Sequence, residues 1–351
     1  MIESRLDTLR QWMAGEGLDA FVVSSHPNVR YLTGFTGEGI LVVFEELAIC
    51  TDSRYTVQAA EEAPELETTA DEGGHVVGAG NRLAQSGATR AGFEADMLTY
   101  AGWEKLAAGA GEVELVPTHG VVVRQRAVKD PSEVDLIRGA VAVADAAFDT
   151  LASKLQPGMV EREAALQLDL AMVMAGAEKP AFETILAAGP NGAKPHARPG
   201  TRELAEGDLV VVDWGATVDG YCSDCTRTVI IGEPDQRQRE VWRAVREAQL
   251  AALEAAGPGV PCRDVDAAAR HLLDDRGLAE LFGHGVGHGV GLQVHEQPRL
   301  SASSDDVLEP GMVVTIEPAV YVEGWGGVRL EELILIAEEG IEVLTRAPYA
   351  L

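Results

Sequence analysis

Residues 209–213 read Leu-Val-Val-Val-Asp, an apolar run that ends on a carboxylate. Further on, Asp219-Gly220 supplies a strong hairpin-turn signal. Residues 222–231 (CSDCTRTVII) then return as a second strand that carries Asp224. A turn centred on Asp219-Gly220 sets Asp213 opposite Thr226, with Asp224 as its diagonal neighbour. A centre half a step earlier sets the two aspartates directly opposite. In either register the carboxylates share one face, roughly 4.5–8 Å apart. Like charges on an inward face are costly to bury. A cation between them removes the cost, and side chains of this length suit two metal ions about 3.5–4 Å apart. A solvated hairpin face would tolerate the same pair without an ion.

The construction recurs near the C-terminus. Residues 312–317 (MVVTIE) form a strand, 323–327 (EGWGG) a loop and 328–336 (VRLEELILI) a strand. Glu317 and Glu331 lie equally far from Gly324, so they are candidate cross-strand neighbours. Glu332 is the alternative partner, on the opposite face. Leu333 and Leu335 share the face of Glu331, and a carboxylate on an apolar face needs a partner. Together the two hairpins offer four carboxylates for divalent metals.

Between them, residues 282–298 read FGHGVGHGVGLQVHEQP. His284 and His288 have helical spacing, but Gly283, Gly285, Gly287, Gly289 and Gly291 would each cost a helix roughly 1 kcal/mol. Alternating glycine suits an extended or looping backbone packed close to something else. His284, His288 and His295 fall in this segment, of the eight histidines in the chain. A lone histidine reads as a hydrogen-bonded core residue, whereas three beside four carboxylates favour a metal or catalytic role.

The 351 residues suit two domains. Periodicity predicts helices over 2–16, 53–62, 133–155, 159–176, 237–256 and 263–276, and strands over 19–25 and 39–44. The stretch 116–131 changes character and carries Arg124, Arg126 and Lys129 near Gly120 and Pro131. The boundary is placed there, with a mixed α/β domain over 1–122 and a second domain over 130–351. Val121 to Val123 read as strand, and Ser132 as the cap of the next helix. A net charge of −28 disfavours nucleic acid. No apolar run is long enough for a membrane span, and the first residues lack a secretory pattern, so a cytoplasmic location is expected. The four cysteines are then not expected to form a disulfide framework.

The segments DWGATVDGYCSDCTRT, HGVGH, VHE, TIEPAVY and GVRLEE together resemble the pita-bread metallopeptidases, across residues 130–351. That family includes Xaa-Pro aminopeptidase, Xaa-Pro dipeptidase (prolidase) and methionine aminopeptidase. The resemblance implies an α/β (α+β) chain with a pita-bread catalytic domain behind an N-terminal creatinase/prolidase-like domain. It implies two divalent metal ions held by Asp213, Asp224, His288, Glu317 and Glu331. It gives Arg329 and Tyr321 the task of orienting ligands. His196 and His295 look like the family's substrate histidines, and His284 like a wall of the site. Glu317 would take the proton of the attacking water.

The N-terminal domain sets the chain apart from methionine aminopeptidases, and the full ligand set from creatinase-like amidinohydrolases and from non-catalytic pita-bread binding proteins. The leading expectation is an Xaa-Pro aminopeptidase acting on peptides with proline in second position, able to take more than two residues. The alternative is a prolidase restricted to dipeptides. For that alternative Arg299, in VHEQPR, resembles the arginine that meets the free proline carboxylate. Four carboxylates and one histidine suit manganese, with cobalt or zinc as options. The resemblance also suggests a homodimer. Cys222 and Cys225 form a C-x-x-C without the helix N-terminus or second Cys/His pair that a redox or zinc site requires. Cys222 shares the face of Asp224 by strand alternation and is expected near the metals.

Overall fold

The computed structural model describes residues 2–349. The chain divides into two compact units, Met1–Arg126 and Ala127–Leu351. The first unit is built on strands β1 (Ala20–Val23), β2 (Ile40–Val43), β3 (Leu47–Thr51), β4 (Glu67–Ala70), β5 (Arg90–Glu94) and β6 (Glu114–Thr118), in the order β4-β3-β2-β1-β5-β6. β1 and β2 are buried at every position. Continuous apolar runs of this kind belong to a sheet covered on both faces. Helices α1 (Ile2–Gly15), α2 (His26–Thr33), α3 (Thr56–Glu62), α4 (His75–Gln85) and α5 (Tyr100–Ala110) accompany the sheet. Glu94, buried at the end of β5, accepts hydrogen bonds from Ser24 N (2.7 Å), Ser25 N (2.8 Å) and Asn28 Nδ2 (2.5 Å), which ties β5 to the start of α2.

Two local expectations fail. Val121–Ala127 is a helix, α6, not a strand. β propensity mostly reports fit to a half-buried pleated surface. Here the buried Val122 and Ala127 find their packing on a helix instead. The next helix, α7 (Pro131–Ala152), is capped by Asp130 and not by Ser132. The Asp130 carboxylate accepts from Ser132 N and Glu133 N, and Glu133 accepts from Asp130 N. Pro131, which has no N–H to satisfy, takes the first helical position and moves the cap upstream.

The second unit also contains α8 (Glu161–Met174), α9 (Gln236–Ala255) and α10 (Cys262–Asp275). Its strands are β7 (Lys179–Pro180), β8 (Ile185–Ala188), β9 (Leu209–Trp214), β10 (Ala216–Val218), β11 (Tyr221–Cys222), β12 (Cys225–Ile230), β13 (Gly287–Gly289), β14 (Glu296–Leu300), β15 (Val313–Ile316), β16 (Ala319–Val322), β17 (Gly326–Arg329), β18 (Glu332–Ile336) and β19 (Ile341–Val343). They form the sheets β12-β9-β8, β11-β10-β7, β14-β13-β15-β18-β19 and β16-β17.

Strand alternation separates helix-facing from site-facing residues. Val210, Val212 and Trp214 of β9 pack with Phe148 of α7 and Leu168 of α8, the Phe148 and Trp214 rings stacked at 4.1 Å. Val314 and Ile316 of β15 pack with Val245 of α9 and Val265 of α10. Asp213 and Thr315 occupy the opposite faces of the same two strands.

Candidate metal centre

Both hairpins are interrupted at carboxylates, the first at Asp224 with Asp213 still in the ladder, the second at Glu317 and Glu331. In the first, Asp213 pairs with Thr226 and Thr217 with Cys222, so the ladder breaks at Ser223-Asp224. Asp219 and Gly220 both have positive φ (45° and 77°), as a type I′ turn requires. This is the first of the two registers considered, with Asp224 diagonal to Asp213. In the second hairpin, Ile316 pairs with Glu332 and Ala319 with Arg329. Glu317 and Glu331 are left facing each other across the break. The strand read as continuous over 328–336 is therefore two strands, β17 and β18, separated at Leu330-Glu331. At each break the side chain is freed from the pleat and turned inward.

Ligand atoms of Asp224, His288 and Glu331 all lie within 4.8 Å of one another. His288 Nε2 is 3.6 Å from Asp224 Oδ2 and 3.3 Å from Glu317 Oε1. Asp213 lies outside the mutual group, with Oδ2 accepting from Arg329 Nη2. Arg329 is 3 % exposed. It also donates to Thr226 Oγ1 (3.0 Å), Tyr321 OH (2.8 Å) and Pro195 O (2.9 Å), the last beside His196. One guanidinium thus spans Asp213, Tyr321 and the loop of His196. His288 Nδ1 lies 3.1 Å from Gly289 O and donates to it, so Nε2 points at the carboxylates, where it donates to Glu317 when no metal is bound and would offer its lone pair to a cation.

His284 places Nε2 3.2 Å from Tyr321 OH. The His295 ring lies edge-on to His288, centroids 4.4 Å apart. His196 and Arg299 are exposed and lie near His295, whose pKa is lowered first by burial and in smaller part by neighbouring charge, Arg299 included. Arg299 is the direct cross-strand partner of His288.

Two threonines were not singled out as site residues. Thr226 Oγ1 donates to Glu331 Oε2 (2.7 Å), and Thr315 Oγ1 accepts from His288 N (3.1 Å) while lying 3.4 Å from Glu317 Oε1. Each sits two residues from a carboxylate on one strand line, Thr226 after Asp224 and Thr315 before Glu317. That period of two was the available signal. Cys222 packs in an apolar cluster with Val134, Ile137, Val290 and Leu333. Cys225 belongs to a different cluster, around Trp214.

The electrostatics ask for positive charge. Burial raises Asp224 well above the carboxylate range, and Glu331, Asp213 and Glu317 push it further. Glu331 is raised for the same reasons, burial first and then Glu317 and Asp213. Burial raises Asp213 as well, against the pull of Arg329. Glu317 is the exception. Burial would raise it, but the hydrogen bond and charge of His288 outweigh that and hold it at about 2. Asp213 Oδ1 and Glu331 Oε1 are buried without a hydrogen-bond partner. An orphaned buried acceptor costs about 1–3 kcal/mol, more when charged. Two such oxygens beside an imidazole lone pair form a donor set that a divalent cation satisfies.

The comparisons with known proteins agree. Residues 135–338 match the model of metallopeptidase family M24, and residues 5–128 that of the creatinase/prolidase N-terminal domain. This chain belongs to metallopeptidase family M24. A curated relative, an Xaa-Pro dipeptidase of Pyrococcus horikoshii, is 36 % identical over 99 % of this chain and 98 % of its own length. Among solved structures, an Xaa-Pro dipeptidase from Bacillus anthracis superposes with a TM-score of 0.95 at 36 % identity, covering 100 % of this chain and 99 % of the other. An X-Pro aminopeptidase from Thermotoga maritima gives 0.87 at 35 % identity, over 95 % and 98 %. The M24 family implies divalent metal ions, and the cluster above is a candidate site for them. No helix among the described residues is long and apolar enough to cross a membrane.

Proposed function

We propose that this metallopeptidase is a prolidase, which hydrolyses dipeptides whose second residue is proline. The aminopeptidase reading with which the sequence led gives way to the narrower one. The Pyrococcus and Bacillus relatives, which match nearly the full chain, carry the dipeptidase name. The observation that carries the restriction is Arg299. It stands across from His288 and near His295, a cation on the face where a free proline carboxylate would lie.

Asp213, Asp224, His288, Glu317 and Glu331 would hold two divalent cations, with manganese the best match to four carboxylates and one imidazole. Bound there, the cations would lower the pKa of a water toward neutrality and polarise the scissile carbonyl. Glu317, ionised at neutral pH, accepts the proton released as water adds to that carbonyl. The leaving proline nitrogen is tertiary in the peptide, so it departs only with a proton, which Glu317 returns. Burial, first of all, lowers His295 from the ordinary histidine value. An imidazole has at least one N–H in either protonation state, and His295 with His196 offers such donors to the developing oxyanion. Tyr321, Arg329 and His284 fix the wall. A homodimer and a cytoplasmic location belong to the same reading, and sedimentation and fractionation test them.

Ala-Pro and Ala-Pro-Ala, assayed side by side with manganese, test the proposal. Ala-Pro should be cleaved and Ala-Pro-Ala should resist. Arg299→Met should raise KM for Ala-Pro at least tenfold with kcat little changed. Equal cleavage of both peptides would restore the aminopeptidase reading.

A further inference from the structure

The segment that carries His284 and His288 has little side-chain mass of its own. Gly285 and Gly287 are required there. A Cβ on Gly287 would lie 1.9 Å from Thr315 O, and one on Gly285 would lie 2.7 Å from Leu300 O. Glycine permits this close approach but leaves the backbone free to move. Something outside the segment has to hold it.

Two residues of α10 do so. Arg270 Nε and Nη2 donate in parallel to Asp266 Oδ2 and Oδ1, both at 3.0 Å. Arg270 Nη1 donates to Phe282 O (3.0 Å) and Nη2 to His284 O (2.9 Å). Asp266 Oδ1 accepts from Val286 N (3.0 Å). Phe282, His284 and Val286 are alternate residues, and the couple bonds all three along a backbone that bends at His284 and Val286 before β13 begins. The guanidinium also stacks over the Phe282 ring, 4.5 Å from its centroid. Asp266 is 1 % exposed. A buried carboxylate is tolerated when a bidentate arginine answers it. The far edge continues the connection, since Val286 O accepts from Glu317 N at 2.7 Å. A displacement at Val286 would therefore reach His284, His288 and Glu317 together.

We propose that Asp266 and Arg270 are positioning residues, a side-chain brace that sets the histidine segment and the backbone of Glu317 at the metal centre. Its activity arm rests on the prolidase reading, whereas its metal-binding and exchange arms do not. The couple touches neither substrate nor metal, so its effect must pass through the segment.

The test uses the full chain with Arg270→Lys and Asp266→Asn. Lysine keeps the charge but cannot reach Asp266, Phe282 O and His284 O at once. Asparagine keeps an acceptor for Val286 N and loses the charge pairing. Three quantities are read: amide hydrogen exchange over 282–288, manganese affinity by calorimetry after chelator treatment, and kcat and KM for Ala-Pro.

In Arg270→Lys, exchange over 282–288 should rise at least tenfold with the strand 209–214 unchanged. Manganese should bind about 10–100-fold more weakly, the range that partners of metal ligands command. kcat should fall by a similar factor, with KM changed less. Asp266→Asn should lie between this variant and wild type. Wild-type exchange and metal affinity in both variants would overturn the brace. So would loss of the far-UV circular dichroism spectrum in both, because the couple would then hold the fold and not the segment. If the wild type binds manganese but leaves Ala-Pro intact, the prolidase reading falls and the exchange and affinity results still decide the brace.

Discussion

Neutralising one ligand should have opposite effects on stability with and without metal. Asp224 and Glu331 offer oxygens within 4.8 Å of each other. Two unit charges at that distance repel by about 3 kcal/mol at an effective dielectric constant of about 20. In chelator at alkaline pH, Asp224→Asn should therefore be more stable than the wild type by up to about 3 kcal/mol. Proton uptake by the pair relieves part of the repulsion, which makes this figure an upper limit. A domain of 150–250 residues shifts by about 2–4 °C per kcal/mol, so the gain is up to roughly 12 °C in Tm.

Manganese reverses the order. A ligand at 100 to 1,000 times its Kd stabilises by about 2.7–4.1 kcal/mol, or roughly 5–16 °C for the wild type. Asp224→Asn loses a ligand and should shift little. Differential scanning calorimetry of both proteins, in chelator and in manganese, reads the crossing directly. A variant that is less stable than wild type in chelator as well would refute the reasoning. It would mean that the Asp224 carboxylate is held by favourable contacts and not strained by its neighbours.

Three further outcomes are expected. Burial raises Asp145 from 3.8 to about 6, although Arg346 N donates to it, and its Oδ1 has no partner. A carboxyl raised on folding contributes stability below its unfolded pKa and loses it as pH climbs through the folded value. Asp145 should therefore withdraw about 2 kcal/mol of stability between pH 4 and pH 7, and Asp145→Asn should flatten that part of the profile in urea titrations. A profile unchanged by the substitution would remove Asp145 as the cause. Gly287→Ala must displace Thr315 O, which lies 1.9 Å from the new Cβ. It should cost about 1–3 kcal/mol or more and abolish the manganese-induced Tm shift, which calorimetry checks. Arg329→Lys should lower kcat by about 10–100-fold, because lysine cannot reach Asp213, Tyr321 and Pro195 O together. Full activity in that variant would show that Asp213 keeps its place without the guanidinium.

What could be read from the residues follows from where the information lies. The pairing of Asp213 with Thr226 was one of two registers that the Asp-Gly turn and strand alternation allowed, and the positive φ of Asp219 and Gly220 is the physical feature that goes with it. The facing of Glu317 and Glu331 was readable from symmetry about Gly324. The break that frees them from the ladder was not, since VRLEELILI is a continuous strand by pattern. Asp130, masked by the more familiar serine beside it, needed the proline geometry to be recognised as the cap. Val121 to Val123 went helical because packing outweighed propensity.

The deeper gap concerns the residues that orient others. Carboxylates and histidines on inward strand positions stand out because their burial is expensive without a purpose. Thr226, Thr315, Asp266 and Arg270 are ordinary residues for a strand or an amphipathic helix, and an Asp/Arg pair at i, i+4 reads as a surface ion pair of small value. What gives Asp266–Arg270 its place is the backbone of 282–286, whose glycines forgo the side chains that would otherwise have fixed it. The need for a brace is written in the glycine segment, and its supplier lies on a helix that no local pattern connects to it.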